Sequence, residues 1–147
     1  MKIIRKKLLI AFSLTCILIC NYATAQNSKL ETEKLVIGTW NLDSLEINSN
    51  MLPEAMIKVI YSKMQESKKY TTYFFGKDGK YVNKTVSKSV EGTWELSKSG
   101  DTLKLMLPEK TIFNKILQID EKRFTIEPLG ETKEAENGKI FMIKPEE

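Results

Sequence analysis

Residues 70–107 read YTTYFFGKDGKYVNKTVSKSVEGTWELSKSGDTLKLML, and this stretch decides the fold. Tyr70 to Phe75 is rich in aromatic and β-branched side chains, the composition of a strand. Asp78-Gly79 follows, a strong two-residue hairpin signal because glycine tolerates the positive φ that such a turn requires. Lys80 to Val86 returns, and Ser87-Lys88-Ser89 turns the chain again. In Val90 to Leu96, period two puts Val90, Gly92, Trp94 and Leu96 on one face. Ser99-Gly100 marks another turn, and Thr102 to Leu107 aligns Leu103, Leu105 and Leu107. Four strands in fewer than forty residues, each joined by a tight turn, describe an antiparallel meander.

The pattern extends in both directions. Downstream, Pro108-Glu109-Lys110 breaks the run, Ile112 to Ile119 and Arg123 to Glu127 pair across Asp120-Glu121-Lys122, and a polar loop ends in Asn137-Gly138 before Lys139 to Ile143. Upstream, a first strand runs from Leu35 to about Ile47, with Val36, Gly38, Trp40 and Leu42 on one face. After Asn48-Ser49-Asn50, Met51 to Lys68 predicts a single helix, with Pro53 in its first turn and Asn50 available as a cap. The expected fold is therefore all-β: an eight-stranded antiparallel up-and-down barrel with one helix between strands 1 and 2. Eight such strands can close on themselves and leave no exposed edge.

The ends of the chain differ in chemistry. Lys2, Arg5, Lys6 and Lys7 precede an apolar run from Leu8 to Cys20, and Ala23-Thr24-Ala25 supplies the small residues of a cleavage site. The run is 13 residues long, against roughly 20 for a membrane span. The division expected is a signal peptide over residues 1–25, a flexible lead-in over 26–34 and one domain over 35–147. The location expected is periplasmic or secreted. Lipidation at Cys20 is the alternative, and membrane contact is expected only in that case. Ile19 just before Cys20 disfavours it, since that reaction wants a small residue there.

Removing the leader takes four of the 23 basic residues and none of the 19 acidic ones, which leaves a balance of 19 to 19. Without a basic surplus there is no electrostatic footprint for nucleic acid. Both cysteines, Cys16 and Cys20, lie in the leader, and the chain has no histidine. Disulfides, thiolate nucleophiles and the commonest general base and metal ligand are thereby removed from the domain. No phosphate loop, metal-ligand spacing or nucleophile–base arrangement is visible. Neither a cofactor, a metal nor an enzymatic reaction is expected.

Two segments nearly repeat: Val36-Ile37-Gly38-Thr39-Trp40-Asn41-Leu42 and Val90-Glu91-Gly92-Thr93-Trp94-Glu95-Leu96. In each, a glycine two residues before the tryptophan shares its face and leaves room for a bulky neighbour or a bend. Gly38-Thr39-Trp40 resembles the G-x-W signature of lipocalins. The segments Phe75 to Tyr81, Gly92 to Leu96 and Gly100 to Leu105 look like the lipocalin-like domains of short exported bacterial proteins of Bacteroidetes type. The resemblance spans Leu35 to Lys144. It implies a calycin-type barrel and a small apolar ligand inside it. Lipocalins also tend to pack a late arginine over the first-strand tryptophan, and here the matching region offers Lys144.

On this reading Gly38, Trp40 and Gly92 are structural, and Trp94, Phe75, Leu103 and Leu105 are the candidate ligand contacts within the barrel. The helix is expected to contribute Met56 and Ile60. At 100° per residue, Ala55, Val59, Leu52, Met56, Ile60, Met64, Ile57 and Tyr61 sweep an arc of about 240°, wider than one-sided packing needs. The helix is then either a gate over a cavity or a plug in the barrel mouth. Two functions remain open: a binder of a small apolar molecule, and a filled barrel that acts as an extracytoplasmic protein-interaction module. Export is expected to cleave between Ala25 and Gln26. Intact-mass analysis of the exported protein checks this, and an acylated N-terminus at Cys20 is the contrary result.

Overall fold

The computed structural model describes residues 28–47, 53–130 and 138–146. The leader with Cys20, the capping residue Asn50, Leu52 of the helical arc and Asn137 lie outside the described residues. Helix α1 covers residues 28–36. Strand β1, Gly38–Ile47, is followed by helix α2, Glu54–Lys68. Seven more strands complete the chain: β2 Thr72–Phe75, β3 Lys80–Lys84, β4 Ser89–Leu96, β5 Thr102–Met106, β6 Thr111–Ile119, β7 Arg123–Leu129 and β8 Gly138–Ile143. Every strand pairs antiparallel with its sequence neighbour, and β1 pairs with β8 to close the barrel. The expected eight-stranded up-and-down barrel is the observed one.

The two ends of the barrel differ. One carries the turns β2–β3, β4–β5 and β6–β7 and is closed by α1. Residues 28–34 were expected to be a flexible lead-in, and Leu35 to Ile37 the start of the first strand; both readings are corrected, because 28–36 is helical. Val36, which strand periodicity had aligned with Trp40, ends the helix instead and is fully buried. Its carbonyl is one of the last of the helix, which lack intrahelical partners, and it accepts the Trp40 indole N–H at 2.9 Å. At the other end of α1, Ser28 Oγ donates to the Ser99 carbonyl in the β4–β5 turn. Between α1 and β1 the chain turns at Gly38, where φ is +129°, a conformation that only glycine adopts without strain.

Trp40 is the centre of the closed end. Its ring is wholly buried, lies 5.4 Å from that of Phe124, and is covered by Lys144 Nζ at 5.0 Å. The lysine thus fills the position that the resemblance reserves for an arginine. Beside this cluster, Phe75 meets Trp94 edge-on at 5.8 Å, and the Trp94 indole donates to the Gly76 carbonyl at 2.9 Å. Leu96, Leu103, Phe124 and Met142 join them in one continuous core. A side chain at Gly92 would drive its Cβ into the Met106 carbonyl oxygen. The glycine is therefore required by the close approach of β5, as expected for a curved wall.

Outward-facing positions carry cross-strand ion pairs: Lys80–Glu91, Lys104–Glu95 and Lys139–Glu46. Such exposed pairs contribute little stability. They do account for Glu91 and Glu95, which share a face and each hold a lysine on the neighbouring strand.

Helix α2 leaves the open end after β1 and packs against the part of that strand beyond Asn41, where β2 no longer pairs with it. It begins at Glu54, with Pro53 at the cap position and no side-chain capping bond. A bulge in β1 between Leu42 and Ser44 coincides with Asp43, whose carboxylate binds Lys68 Nζ at 2.6 Å. Bulges commonly re-aim a side chain in this way. Two residues further along, the Leu45 N–H donates to Met64 Sδ at 3.2 Å. Replacing Trp40 with alanine removes the central ring of the closed end and should cost about 3–5 kcal/mol. Chemical denaturation checks this, and a loss under about 1 kcal/mol would place the ring outside the core.

Candidate functional site

The opposite end of the barrel opens into a cavity of about 620 Å³, within the roughly 300–1,000 Å³ typical of small-molecule sites. Its apolar wall comes from Phe75 on β2, Leu105 on β5, Ile112 on β6, Ile126 on β7 and Ile140 on β8. Each points inward because strand side chains alternate between faces. Cross-strand pairs Leu105↔Ile112 and Ile126↔Ile140 keep these residues level with one another. Lys110 and Thr111 stand at the rim, with Pro128, Leu129 and Gly130 beside them at the end of the neighbouring β7. A cleft of about 610 Å³ between the β3–β4 and β5–β6 turns shares Tyr81, Lys110 and Ile112 with this cavity.

Besides Lys110 and Thr111 at the rim, three polar side chains line the same space: Tyr73, Tyr81 and Asn114. Burial pushes the Tyr73 phenol up to about 12. Burial also raises Tyr81, and the neighbouring Tyr73 raises it further. Both phenols therefore stay uncharged well above the range in which a free tyrosine ionises. Asn114 is 1% exposed. Its Nδ2 donates to the Leu103 carbonyl at 3.5 Å, a long contact for an N–H···O bond.

Of the residues expected to contact a ligand, Phe75 and Leu105 line the cavity. Trp94 and Leu103 face inward as the periodicity requires, but they are packed below it, Trp94 against Phe75 and Gly76 and Leu103 wholly within the core. Met56 and Ile60 are not in its wall. Met56 is 51% exposed on the outer side of α2, and only Met64 of that helix is buried. Helix α2 is anchored to β1 through Met64 and Lys68, and none of its residues is in the wall of this cavity. The inward alternation Ile112, Asn114, Ile116 was the one clue to Asn114, and Tyr73 and Tyr81 hold the equivalent inward positions on β2 and β3. Among the described residues, no group of three acidic, histidine or cysteine side chains could hold a metal ion.

This geometry has counterparts. The lipocalin-like domain family matches residues 36–145. The chain belongs to that family. Among solved structures, a DUF4847-family protein from Bacteroides vulgatus shares 15% identity at a TM-score of 0.53, over 76% of this chain and 95% of that one. A lipocalin-like protein from Bacteroides uniformis shares 13% identity at a TM-score of 0.50, over 74% and 97%. At such identities the likeness is one of fold. No curated protein matches the chain.

The buried phenols make this lipocalin-like domain sensitive to alkali. A tyrosine whose folded value lies above its unfolded value contributes fully below the unfolded one and loses that contribution as pH rises through the folded one. Stability should hold up to about pH 10, the free-tyrosine value, and then fall towards pH 12. Denaturant melts across that range check this, and the double change Tyr73→Phe with Tyr81→Phe should flatten the fall.

Proposed function

We propose that this lipocalin-like domain binds a small apolar molecule in the cavity at the open end of its barrel, and that it does so outside the cytoplasm. The observation that carries this reading is a one-ended cavity of about 620 Å³ with Phe75, Leu105, Ile112, Ile126 and Ile140 in its wall. The remaining length of the barrel is filled by the Trp40–Phe124 cluster. Burying an apolar ligand against such a wall yields roughly 25 cal/mol per Å² removed from water. Export is supported by the leader pattern, with its basic start, short apolar run and A-x-A ending.

The second reading, an interaction module, has one observation in its favour. Met56 and Val59 are each about half exposed on α2, and Tyr61 is also exposed.

Titration with the uncharged fluorophore N-phenyl-1-naphthylamine separates the two. The protein should bind the dye saturably, with enhanced emission. Ile112→Trp, which extends an indole into the cavity, should weaken the affinity at least about tenfold. Met56→Asp, on the outer side of α2, should leave the affinity within about twofold. Absence of saturable binding to the unaltered protein contradicts the ligand-binding reading and leaves the interaction module.

A further inference from the structure

The polar groups of the cavity describe the ligand more closely than its volume does. Tyr73 and Tyr81 stand on β2 and β3, and Asn114 stands on β6, on the opposite wall of the eight-stranded barrel. A buried carboxamide has four hydrogen-bonding positions and is costly to leave short of partners. Among the described residues, Asn114 uses one of these, the long contact to the Leu103 carbonyl. No described residue donates to its Oδ1. The two phenol hydroxyls likewise have no hydrogen-bond partner among the described residues. Three hydrogen-bonding groups thus face the cavity from two walls, and the other described lining residues are apolar apart from Lys110 and Thr111 at the rim.

Charge is distributed differently. Among the described lining residues the only charged side chain is Lys110, which is exposed at the rim. Among the described residues, a carboxylate brought to Asn114 would meet no cation, and an unpaired charge in such surroundings is strongly disfavoured. A carbonyl or hydroxyl oxygen there would meet an amide N–H and two phenol O–H donors.

We propose that the inner part of the cavity recognises an uncharged ligand carrying a carbonyl or hydroxyl group, which Asn114, Tyr73 and Tyr81 hold by hydrogen bonds, and that it excludes carboxylates. This rests on the ligand-binding reading above and assigns the chemical class that the site takes.

Competition against bound N-phenyl-1-naphthylamine tests it, with decane, decan-2-one and decanoic acid as competitors of equal chain length. Hydrophobic transfer alone would favour the alkane. The ketone should instead compete about tenfold more tightly than decane. That ratio should collapse to about one or below in Asn114→Leu, or, if that variant fails to fold, in the double variant Tyr73→Phe with Tyr81→Phe. Decanoic acid should compete more tightly as pH falls from about 8 to 6, approaching tenfold per unit because only its protonated form enters. A wild-type preference for decane, a ketone preference that survives these changes, or decanoate binding independent of pH would each overturn the assignment. Any of these results, obtained while the dye still binds, leaves the ligand-binding reading standing. Failure of the dye itself to bind removes both.

Discussion

The hydrogen bond from the Trp40 indole to the Val36 carbonyl ties three levels of the structure together. It gives a partner to a carbonyl at the end of α1, where the helix cannot supply one. It fixes the ring in the barrel axis, where Phe124 packs on one side and Lys144 on another. It also holds α1 across one end of the barrel, so that the interior opens at the other end only. A tryptophan suits this position because it combines a large apolar body with one donor that must be satisfied when buried. Gly38 is the hinge that lets helix and strand meet at that angle.

How much of this could be read beforehand follows from what periodicity reports. Alternation of period two identifies strands and their inward faces, so the meander, its turns at Asp78-Gly79 and Ser99-Gly100, and the inward set from Phe75 to Leu105 were all legible. Periodicity carries no information on depth along the barrel axis. Trp94 and Leu103 share a face with Leu105, yet they sit in the filled part. Strand β6 blurred its own message, because Phe113 and Leu117 remain partly exposed on the outer face. Asn114, between Ile112 and Ile116, was hidden by that apolar surround.

Of the two helices, α2 was legible as a helix and only its surroundings were not, whereas α1 was missed altogether. In α1 the apolar residues are few, and Val36 continues the spacing of Trp40 and Leu42, so strand alternation absorbed it. Ser28 followed by Glu31, with Gly38 just beyond the end, has the spacing of a capped helix, but short local signals lose to a longer run of alternation. In α2 the apolar arc is wide, but width measures composition and not what lies opposite. The main contact of the helix among the described elements is β1, through the Asp43 bulge and Met64, and Met56, Val59 and Tyr61 of the arc are exposed.

Closure of the barrel joins the beginning of the domain to its end: Glu46 on β1 holds Lys139 on β8, 93 residues away. Contacts of such long sequence separation form slowly, because the entropy of closing the intervening loop must be met first. During synthesis β1 emerges early and can pair with β2, while its other edge waits for β8. Until then that edge offers unpaired N–H and carbonyl groups to any neighbouring chain. The period of greatest risk for this protein is therefore not the folded state but the interval before its last strand arrives.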